Sequence, residues 1–565
     1  MRHTTRPEVA GTRHAVAAGH DLAAVAAHDV LAAGGNAIDA GCAAGIALGV
    51  LQPDLVNVAG VAPIMIRPAG GPVITIDGLG VWPRALPYGH FMTVHGGSIP
   101  VGVERVVVPA AVDAWLTALE LHGTMSFREV AHAAARYARE GFAMHPLLRD
   151  TIETYREDYA RWPSTAAIYL PGGRLPEVGE RFVQSDLART FDVMFHAEAQ
   201  ATGDRKQGID AARRAFYQGD IAREIVRFVQ AEGGFLAAAD MAAFRCRIEQ
   251  PVRIEWRGGE LYTCGPWCQG PVLAMALRQL DVLGLDGLAH NDADYVHLLV
   301  EVLKGAFADR DHHFTDPALA EVPLATLLSP EHARRRAGEI RRDRVRDGLP
   351  AALLPTTAGG GGPLGRGEPR PEPDTSYVAV IDAAGNAFSA TPSDGSWTVP
   401  VVPGTGLVPS SRGSQSRPDP SPPAGALAGR RPRLTPNPAL YLHGDDVLAF
   451  GTPGGDVQSQ AMLQLLLNRY HFGRSLQEAI DAPRFATYDF PSSFAPFTRY
   501  DKLVKLEARI DPAVAEELTE RGHRIEAWPA FDWRAGGLCA VETDREQGLI
   551  RGAADPRRPA YAIGG

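Results

Sequence analysis

The stretch PEPDTSYVAVIDAAGNAFSA, residues 371–390, joins two very different kinds of sequence. Before it, PTTAGGGGPLGRGEPRPEPD at 355–374 offers almost nothing that could be buried, which is typical of a flexible tail. From Thr375 onward the side chains alternate, which predicts a buried strand at 376–382, a short turn and a second strand at 387–391. A hydroxyl residue therefore begins a strand directly after a flexible segment.

The position of Thr375 suggests a nucleophile. If the peptide bond between Asp374 and Thr375 is cut, the freed α-amine lies beside the hydroxyl of the same residue and can act as its base. The alternative is that Thr375 merely begins a strand, where threonine is common. The stretch by itself leaves both interpretations open.

The overall composition is that of a soluble globular protein with more than one core. The chain has 565 residues, of which 45% are hydrophobic and 22% charged, and its formal net charge is −10. No basic stripe with interleaved aromatic residues occurs, so nucleic acid is not a predicted partner. The basic run RRRAGEIRRDRVRDG, beginning at Arg334, carries acidic residues at helical spacing and is interpreted as a solvated helix face.

The cysteines and histidines predict no metal and no cofactor. The five cysteines are an odd number, which makes a disulfide framework improbable. Cys264 and Cys268 lack a second pair at zinc spacing, and His312 and His313 follow a helix without metal-binding spacing. No stretch reaches the ~20 apolar residues of a membrane span, and the N-terminus shows no apolar leader. The sequence predicts a cytoplasmic protein.

The glycine- and proline-rich segment at 355–374 divides the chain into a helix-rich portion, 1–374, and a strand-rich portion, 375–565. Asn36 is the predicted N-cap of one of the helices. The predicted helices cover 22–33, 37–51, 292–312, 456–470 and 475–480; the predicted strands cover 62–67, 72–77, 439–443, 446–451, 504–508 and 537–541, with a hairpin at 251–264. Strand pairs with helices between them predict a layered arrangement.

A second glycine motif, GTPGG at 451–455, lies between a predicted strand and a predicted helix. Backbone N–H groups of Gly454 and Gly455 at a helix N-terminus form a donor pair suited to a tetrahedral oxyanion. No G-K-[ST] follows, so the motif is not a phosphate-binding loop. Alone it is a weak signal, because such turns are common.

Five segments together resemble the γ-glutamyltranspeptidase family, which belongs to the N-terminal nucleophile (Ntn) hydrolases. They are AAGGNAIDAGCAAGIALGVLQP at 32–53, FYQGDIAREIVRFVQAEGGFLAAADMAAFRCRIEQPV at 216–252, ADYVHLLVEVLKGAFADRD at 293–311, DTSYVAVIDAAGNAFS at 374–389 and GTPGGDVQSQAMLQ at 451–464. The resemblance spans nearly the whole chain. It implies an α+β fold, the four-layer αββα sandwich, with a helix-rich large subunit portion.

The resemblance also implies the chemistry. The proenzyme would cut itself between Asp374 and Thr375, and the large and small chains would remain associated. Thr375 Oγ would attack an amide carbonyl, and Gly454 and Gly455 would stabilise the oxyanion. Ser393 falls where the family carries a hydroxyl that contacts the nucleophile.

The sequence departs from the family where the family holds the glutamyl group. Leu79 stands at the position of the arginine that clamps the α-carboxylate, and Arg84 is a candidate replacement. In SSRGSQS at 410–416, Gln415 stands near the family's ammonium-binding aspartate and Arg412 near a neutral amide.

Two further positions differ. Gly395 falls near a family asparagine, and Thr435 keeps one hydroxyl of a family pair. We therefore assign Arg412, Gln415, Thr435 and Arg84 as candidate substrate-binding residues.

Loss of an acid and gain of an arginine disfavour an α-ammonium group, since a buried unpaired charge costs several kcal/mol. The sequence predicts a small-molecule amide substrate whose acyl group bears a carboxylate but no α-amine, oxalyl- or glutaryl-like, as in oxamate amidohydrolases and cephalosporin acylases. The alternatives are a γ-glutamyl enzyme with relocated clamps, an oxalyl-removing carbon–carbon hydrolase, and a non-catalytic scaffold. Arg412 has the alternative role of bracing its loop. The oligomeric state is left open, including a higher oligomer.

Overall fold

The computed structural model describes residues 4–355 and 375–565. The predicted tail after residue 355 and Asp374 lie outside the described residues. Two seven-stranded antiparallel sheets form the centre. In spatial order, the first sheet contains Val9–Gly11, Leu549–Ala554, Cys539–Asp544, Asp446–Gly451, Ala439–His443, Gly259–Thr263 and Val252–Trp256. The second contains Tyr561–Gly564, His14–Ala18, Val378–Asp382, Ala387–Ala390, Ile64–Arg67, Ile74–Ile76 and Ile248–Glu249.

The strand Val378–Asp382 shows how the alternation in the sequence builds the layers. Ala379 and Ile381 join a buried cluster with residues of the first sheet, such as Leu440. Val378 and Val380 point the other way, into a cluster shared with helices. Because side chains alternate between the two faces of a strand, both faces are apolar only when both are covered.

Helices cover the outer face of the second sheet. They are Asp21–Ala32, Ala37–Leu51, Ala111–His122, Phe127–Glu140, Pro146–Thr154, Arg156–Ala160, Pro163–Tyr169, Ser185–Gln200, Arg205–Tyr217, Asp220–Ala231 and Ala238–Ala243. Gly41 lets the helix Ala37–Leu51 approach the sheet, since a Cβ there would meet a ring carbon of Phe388 at 2.1 Å.

A second group of helices covers the outer face of the first sheet. They are Gly270–Leu283, Ala293–His313, Leu324–Leu327, Gln458–Tyr470, Leu476–Asp481 and Pro512–Glu520, with Pro330–Gly338 packed on the first of them. A small sheet of Phe485–Thr487, Leu503–Glu507 and Arg524–Trp528 lies at the edge of this layer. The order of layers is helix, sheet, sheet, helix, which confirms the predicted αββα sandwich.

Several local predictions are confirmed. The helix Ala37–Leu51 begins after Asn36, whose side chain accepts hydrogen bonds from the N–H groups of Ile38 and Asp39 in a capping box. The predicted hairpin is Val252–Trp256 paired with Gly259–Thr263.

The interpretation of the basic run is partly wrong. Its helix ends at Gly338. Arg336 on this helix is buried, and its charge is compensated because its Nε donates to Asp309 Oδ2 at 3.0 Å. A charge pattern on one helix does not reveal a carboxylate supplied by another.

The two portions of the chain do not fold as separate units. Each sheet contains strands from before residue 355 and from after Thr375. The strand Val378–Asp382, for example, pairs with His14–Ala18 along its whole length. Two chains cut between these portions would therefore share both sheets and their cores. Among the described residues, no helix combines the length and apolar character that a bilayer crossing demands.

Candidate active site

The hairpin of the second sheet places Thr375 opposite Ser393. Val378 pairs with Ala390, and the same register continued backwards brings Thr375 to Ser393, where the two backbones form an antiparallel bridge. The hydroxyl oxygens of Thr375 and Ser393 lie 2.8 Å apart, and both residues are fully buried. The eighteen-residue spacing between Thr375 and Ser393 is thus a consequence of strand register.

A hydrogen-bonded chain leads from Ser393 to the candidate specificity residues. Arg412 donates from one terminal nitrogen to Ser393 Oγ, and from the other to Gln415 Oε1 at 3.5 Å. Gln415 Nε2 in turn donates to Thr435 Oγ1 at 3.0 Å. Gln415 and Thr435 are fully buried and lie behind Arg412, so they orient the guanidinium.

Asp394 organises the loop that carries Arg412. It has a φ of 127°, a value that is strained for a non-glycine residue. Its carboxylate accepts hydrogen bonds from the hydroxyls of Ser410, at 2.6 Å, and Ser411. Its carbonyl accepts from Asn57 Nδ2 at 2.6 Å. These bonds fix the backbone next to Ser393 and the backbone next to Arg412 at the same time.

The GTPGG motif begins at the end of the strand Asp446–Gly451, in the middle of the first sheet. Gly454 and Gly455 have φ values of 120° and 56°, which favour glycine. Gly455 begins a 3-10 turn, Gly455–Val457, which precedes the helix Gln458–Tyr470. This helix begins two residues later than predicted. Gln269 Nε2 donates to the Gly455 carbonyl at 2.8 Å and helps to hold the turn.

Gly454, Gly455, Gly395 and Arg412 line one cleft with a volume of about 800 Å³. Its lining is strongly cationic. The basic residues are Arg105, Arg161, Arg412, Lys505, Arg534 and Arg558, and the acidic residues are Asp158 and Asp456. Thr375 is not among the lining residues, but its hydroxyl bonds to that of Ser393, which accepts a hydrogen bond from Arg412 in the lining.

Both carboxylates of the lining already have partners. Asp158 Oδ1 accepts from Arg161 NH2 at 2.8 Å. Asp456 is ion-paired with Arg310 and accepts from the Ser493 N–H at 2.7 Å. Three of the lining cations are ion-paired as well: Arg161 with Asp158, Lys505 with Glu526 and Arg534 with Asp532. Basic side chains still outnumber acidic ones in the lining.

Arg84 does not line this cleft. It lines a separate cavity of about 160 Å³ with Leu79 and Asp240. Its side chain is 71% exposed, and its Nε lies 3.8 Å from Asp240 Oδ1. The structure thus does not bring Arg84 together with Arg412, Gly454 and Gly455, but places it beside the Asp240 carboxylate.

Sequence reasoning missed Arg105. It lines the cleft, and it donates from Nε to the Pro100 carbonyl at 2.7 Å and from NH2 to the Ile99 carbonyl at 2.9 Å. The signal in the sequence was the charged pair Glu104-Arg105 inside the otherwise apolar run VGVERVVVP, 101–109. Arg558 was missed as well, because it follows the last predicted strand.

A buried acid lies beneath the cleft. Asp54 is fully buried, and burial raises its pKa to about 6, although nearby groups, including Thr151 and Arg558, act to lower it. It sits directly before Leu55, whose carbonyl accepts from the Asp394 N–H at 3.0 Å. Its carbonyl is also close to Gly395, where a Cβ would come within 3.0 Å of it.

The comparison with known proteins fits this geometry. The family model described as Gamma-glutamyltranspeptidase matches residues 23–565. The chain belongs to the γ-glutamyltranspeptidase family. This family member is 33% identical over 558 residues to "Acylase ACY 1 proenzyme" of Pseudomonas sp. (strain SE83), with 96% of this chain and 92% of the relative covered.

One further relative and one solved structure also match over nearly the whole chain. "Oxamate amidohydrolase proenzyme" of Klebsiella pneumoniae is 29% identical over 561 residues, covering 96% of this chain and 97% of the relative. The crystal structure of cephalosporin acylase from Bacillus halodurans superposes with a TM-score of 0.86 at 27% identity, covering 100% of this chain and 98% of the other. These relatives of the γ-glutamyltranspeptidase family are hydrolases and acylases, and the chain is accordingly an enzyme.

Proposed function

We propose that this enzyme cuts its own chain between Asp374 and Thr375 and then works as an amidohydrolase or acyltransferase through an acyl-enzyme on the Thr375 hydroxyl. Its preferred acyl group carries a carboxylate but no α-amine, as an oxalyl or glutaryl group does. The observation that carries the substrate class is the contact of Arg412 with Ser393, whose hydroxyl bonds to that of Thr375.

In the proposed reaction, Thr375 Oγ attacks the carbonyl carbon of the substrate amide, and its proton passes to the α-amine of Thr375. The carbonyl oxygen becomes an oxyanion that the N–H groups of Gly454 and Gly455 stabilise. The carbon–nitrogen bond then breaks, and the leaving amine takes the proton. Water, or an acceptor amine in the transfer reaction, attacks the resulting ester and restores the Thr375 hydroxyl.

Ser393 and Arg412 support the nucleophile in this proposal. A hydroxyl that accepts a hydrogen bond from a guanidinium becomes a better donor, because hydrogen bonds in a chain polarise one another. Ser393 would then donate to Thr375 Oγ and stabilise the charge that develops on it. Asp394 keeps both partners in place through the loop described above.

The carboxylate preference follows from charge. The lining carries six basic and two acidic side chains, so basic groups exceed acidic ones even though Arg161, Lys505 and Arg534 are themselves ion-paired, and this excess supports an anionic acyl group. Placing an ammonium group beside Arg412 would cost several kcal/mol unless a carboxylate compensated it. The name of the Klebsiella relative supports this choice, because oxamate is an amide that bears a carboxylate and lacks an α-amine.

No contact among the described residues favours a γ-glutamyl enzyme with relocated clamps or an oxalyl-removing carbon–carbon hydrolase. Both stay alternatives to be tested with substrates. The cytoplasmic location inferred from the cysteine count stays a prediction.

Two measurements on the purified protein test the proposal. A denaturing gel should show two fragments of roughly 40 and 20 kDa, at about 0.11 kDa per residue, and the smaller should begin Thr-Ser-Tyr-Val. Thr375→Ala should give one 60.4 kDa band, the mass of the uncut chain. A single band for the wild type after long incubation would reject self-cleavage.

The substrate class is then measured with matched anilides. Hydrolysis of glutaryl and oxalyl compounds is compared with that of the γ-glutamyl compound, which differs from the glutaryl compound by the α-amine alone. We expect kcat/KM to be higher for the glutaryl or the oxalyl donor. Faster turnover of the γ-glutamyl donor would reject the carboxylate-only preference and leave self-cleavage untouched.

A further inference from the structure

Three side chains outside the cleft converge in a way that the reaction does not use. His90, His95 and Glu104 bring one ligand atom each within 4.8 Å of one another. The Nε2 atoms of His90 and His95 lie 2.6 and 2.8 Å from the same oxygen, Glu104 Oε2. Their side chains are 13%, 25% and 26% exposed, so the cluster is largely buried but open to solvent on one side.

The local fold holds this cluster in shape. His90 begins the one-turn helix His90–Thr93, and Gly96 and Gly97, with φ values of 59° and 88°, close a turn directly after His95. The Gly97 N–H donates to the Phe91 carbonyl at 2.9 Å, which ties this turn back to the helix. Glu104 lies in the 3-10 turn Val103–Arg105 and faces both rings.

Apolar packing anchors the same segment. Phe91 belongs to a small buried cluster with Trp82, Leu86, Ile99 and Val107. The His90 ring packs edge-on against Phe235, with 4.9 Å between ring centroids. The histidines are therefore held by the fold as well as by their contacts with Glu104.

Two imidazole nitrogens and a carboxylate oxygen form a donor set that zinc enzymes use when they leave one coordination position open. Tetrahedral coordination at 2.0–2.2 Å requires ligand atoms roughly 3.3 Å apart. The observed separations of 2.6 and 2.8 Å from Glu104 Oε2 need to widen by less than 1 Å, and the two histidine nitrogens, which lie within 4.8 Å of each other, need to adjust to the same spacing. We propose that His90, His95 and Glu104 bind one Zn²⁺ ion, with a fourth position open to water.

The site would brace the wall of the cleft. Arg105 follows Glu104 directly, and its carbonyl lies so close to Gly413 that a Cβ on Gly413 would approach it to 2.3 Å. The Val107 N–H also donates to the Ser410 carbonyl at 3.0 Å. A metal ion that fixes Glu104 would therefore stiffen the loop that carries Arg412. It would have a structural role and no part in the acyl transfer.

The test is a Zn²⁺ titration of the chelator-treated full-length protein, in competition with a chromophoric chelator. Wild type should bind one equivalent. His95→Ala and Glu104→Gln should bind more than about tenfold more weakly, since even loss of an outer-shell partner costs 10–100-fold. His196→Ala, which removes an exposed histidine far along the chain, should bind as the wild type does.

Cobalt substitution identifies the ligands. Co²⁺ bound by two imidazoles and a carboxylate gives only weak visible bands, whereas thiolate ligation gives an intense charge-transfer band. Such a band would assign the metal to cysteines and overturn the proposal. Wild-type affinity in Glu104→Gln, or no saturable binding by the wild type, would overturn it too. Circular dichroism of each variant shows that lost binding is not lost folding.

Discussion

Thr375 Oγ and Ser393 Oγ lie 2.8 Å apart, and the same Ser393 oxygen accepts a hydrogen bond from Arg412. One hydroxyl thus connects the proposed nucleophile with the proposed carboxylate-binding group. The register of the hairpin fixes this link, because Thr375 and Ser393 are backbone partners at the end of the same pair of strands. Nucleophile activation and substrate selection are expected to be coupled through it.

Ser393→Ala should slow both self-cleavage and turnover. The variant removes a hydrogen bond to an oxygen that gains negative charge, and bonds to charged groups contribute about 1.5–3 kcal/mol, which corresponds to roughly 10- to 150-fold in rate. Gel densitometry over time and kcat with the preferred donor measure the two effects.

The matched control is Ser389→Ala. Ser389 is a buried serine of the same hairpin, but its hydroxyl bonds to that of Tyr377 at 2.6 Å instead of to Thr375. This variant should cleave itself at the wild-type rate. Equal slowing in both variants would point to loss of stability, and no slowing in Ser393→Ala would contradict a role for its hydroxyl.

Arg412→Gln should raise KM for glutaryl or oxalyl donors by roughly 10- to 150-fold, because a charge-assisted hydrogen bond to the substrate carboxylate is lost. It should also lower kcat for every donor, because Ser393 loses the hydrogen bond that polarises its hydroxyl. The KM for the γ-glutamyl donor should rise less, since its ammonium group no longer faces a cation. Steady-state kinetics with the donor pair measure the difference.

Arg84→Gln is the control for the loss of one arginine. Its side chain lies in another cavity beside Asp240, so both donors should keep their wild-type kinetics. A shift in KM for Arg84→Gln that equals the shift for Arg412→Gln would refute the assignment of Arg412.

Gly454→Ala should lower kcat by roughly 100-fold with a small change in KM, the effect expected when one oxyanion donor is displaced. At a φ of 120° alanine is strained, and its Cβ would lie 3.4 Å from Val457 Cβ, so the turn must shift.

Gly473→Ala is the control that distinguishes backbone strain from the loss of an oxyanion donor. Gly473 also has a positive φ, 63°, and a Cβ there would meet nothing within 4 Å. This variant should lose some stability but keep its kcat. If kcat fell equally in both variants, the oxyanion role of Gly454 would be discarded.

Asp54→Asn should stabilise the protein at neutral pH. Burial raises the pKa of Asp54 in the fold to about 6, above its ordinary value of 3.8, so the folded state keeps a proton that the unfolded chain loses. Stability attributable to Asp54 therefore falls as pH rises from about 4 to about 6. Two pKa units correspond to about 3 kcal/mol, which the asparagine variant avoids.

Denaturant unfolding at pH 4 and pH 7.5 measures this effect. The variant should be more stable than the wild type at the higher pH, and the two should converge at the lower pH. Asp220→Asn, at a side chain that is 82% exposed, is the control and should show no such divergence. An equal difference in unfolding free energy between variant and wild type at both pH values would contradict the interpretation that burial raises the pKa of Asp54.

The local structure could be predicted from the sequence wherever local chemistry decides it. The helix Ala37–Leu51 and its cap at Asn36 follow from side chains within three residues of each other. The strands Ala439–His443 and Asp446–Gly451 were predicted to the residue, because apolar alternation and a turn are short-range signals. The Thr375–Ser393 contact was implied by the family resemblance, and the structure gives its cause in the register of the hairpin.

The rest of the site depends on contacts between distant segments. Of the two arginines Arg84 and Arg105, Arg84 was singled out from the sequence, whereas Arg105 lines the cleft. The Asp240 carboxylate, 156 positions after Arg84, attracts that side chain, while backbone carbonyls hold Arg105 in the cleft wall.

The sequence by itself determined many helices and strands and the position of the threonine that follows the glycine- and proline-rich segment, because these depend on periodicity, turns and adjacent residues. It indicated the family and the αββα layers through the resemblance of five segments. Only the tertiary structure decided which arginine faces the cleft and which histidines share a carboxylate. Electrostatic partners are chosen by distance in space, and two charges that lie far apart in the chain become partners only when the sheets and their loops have packed.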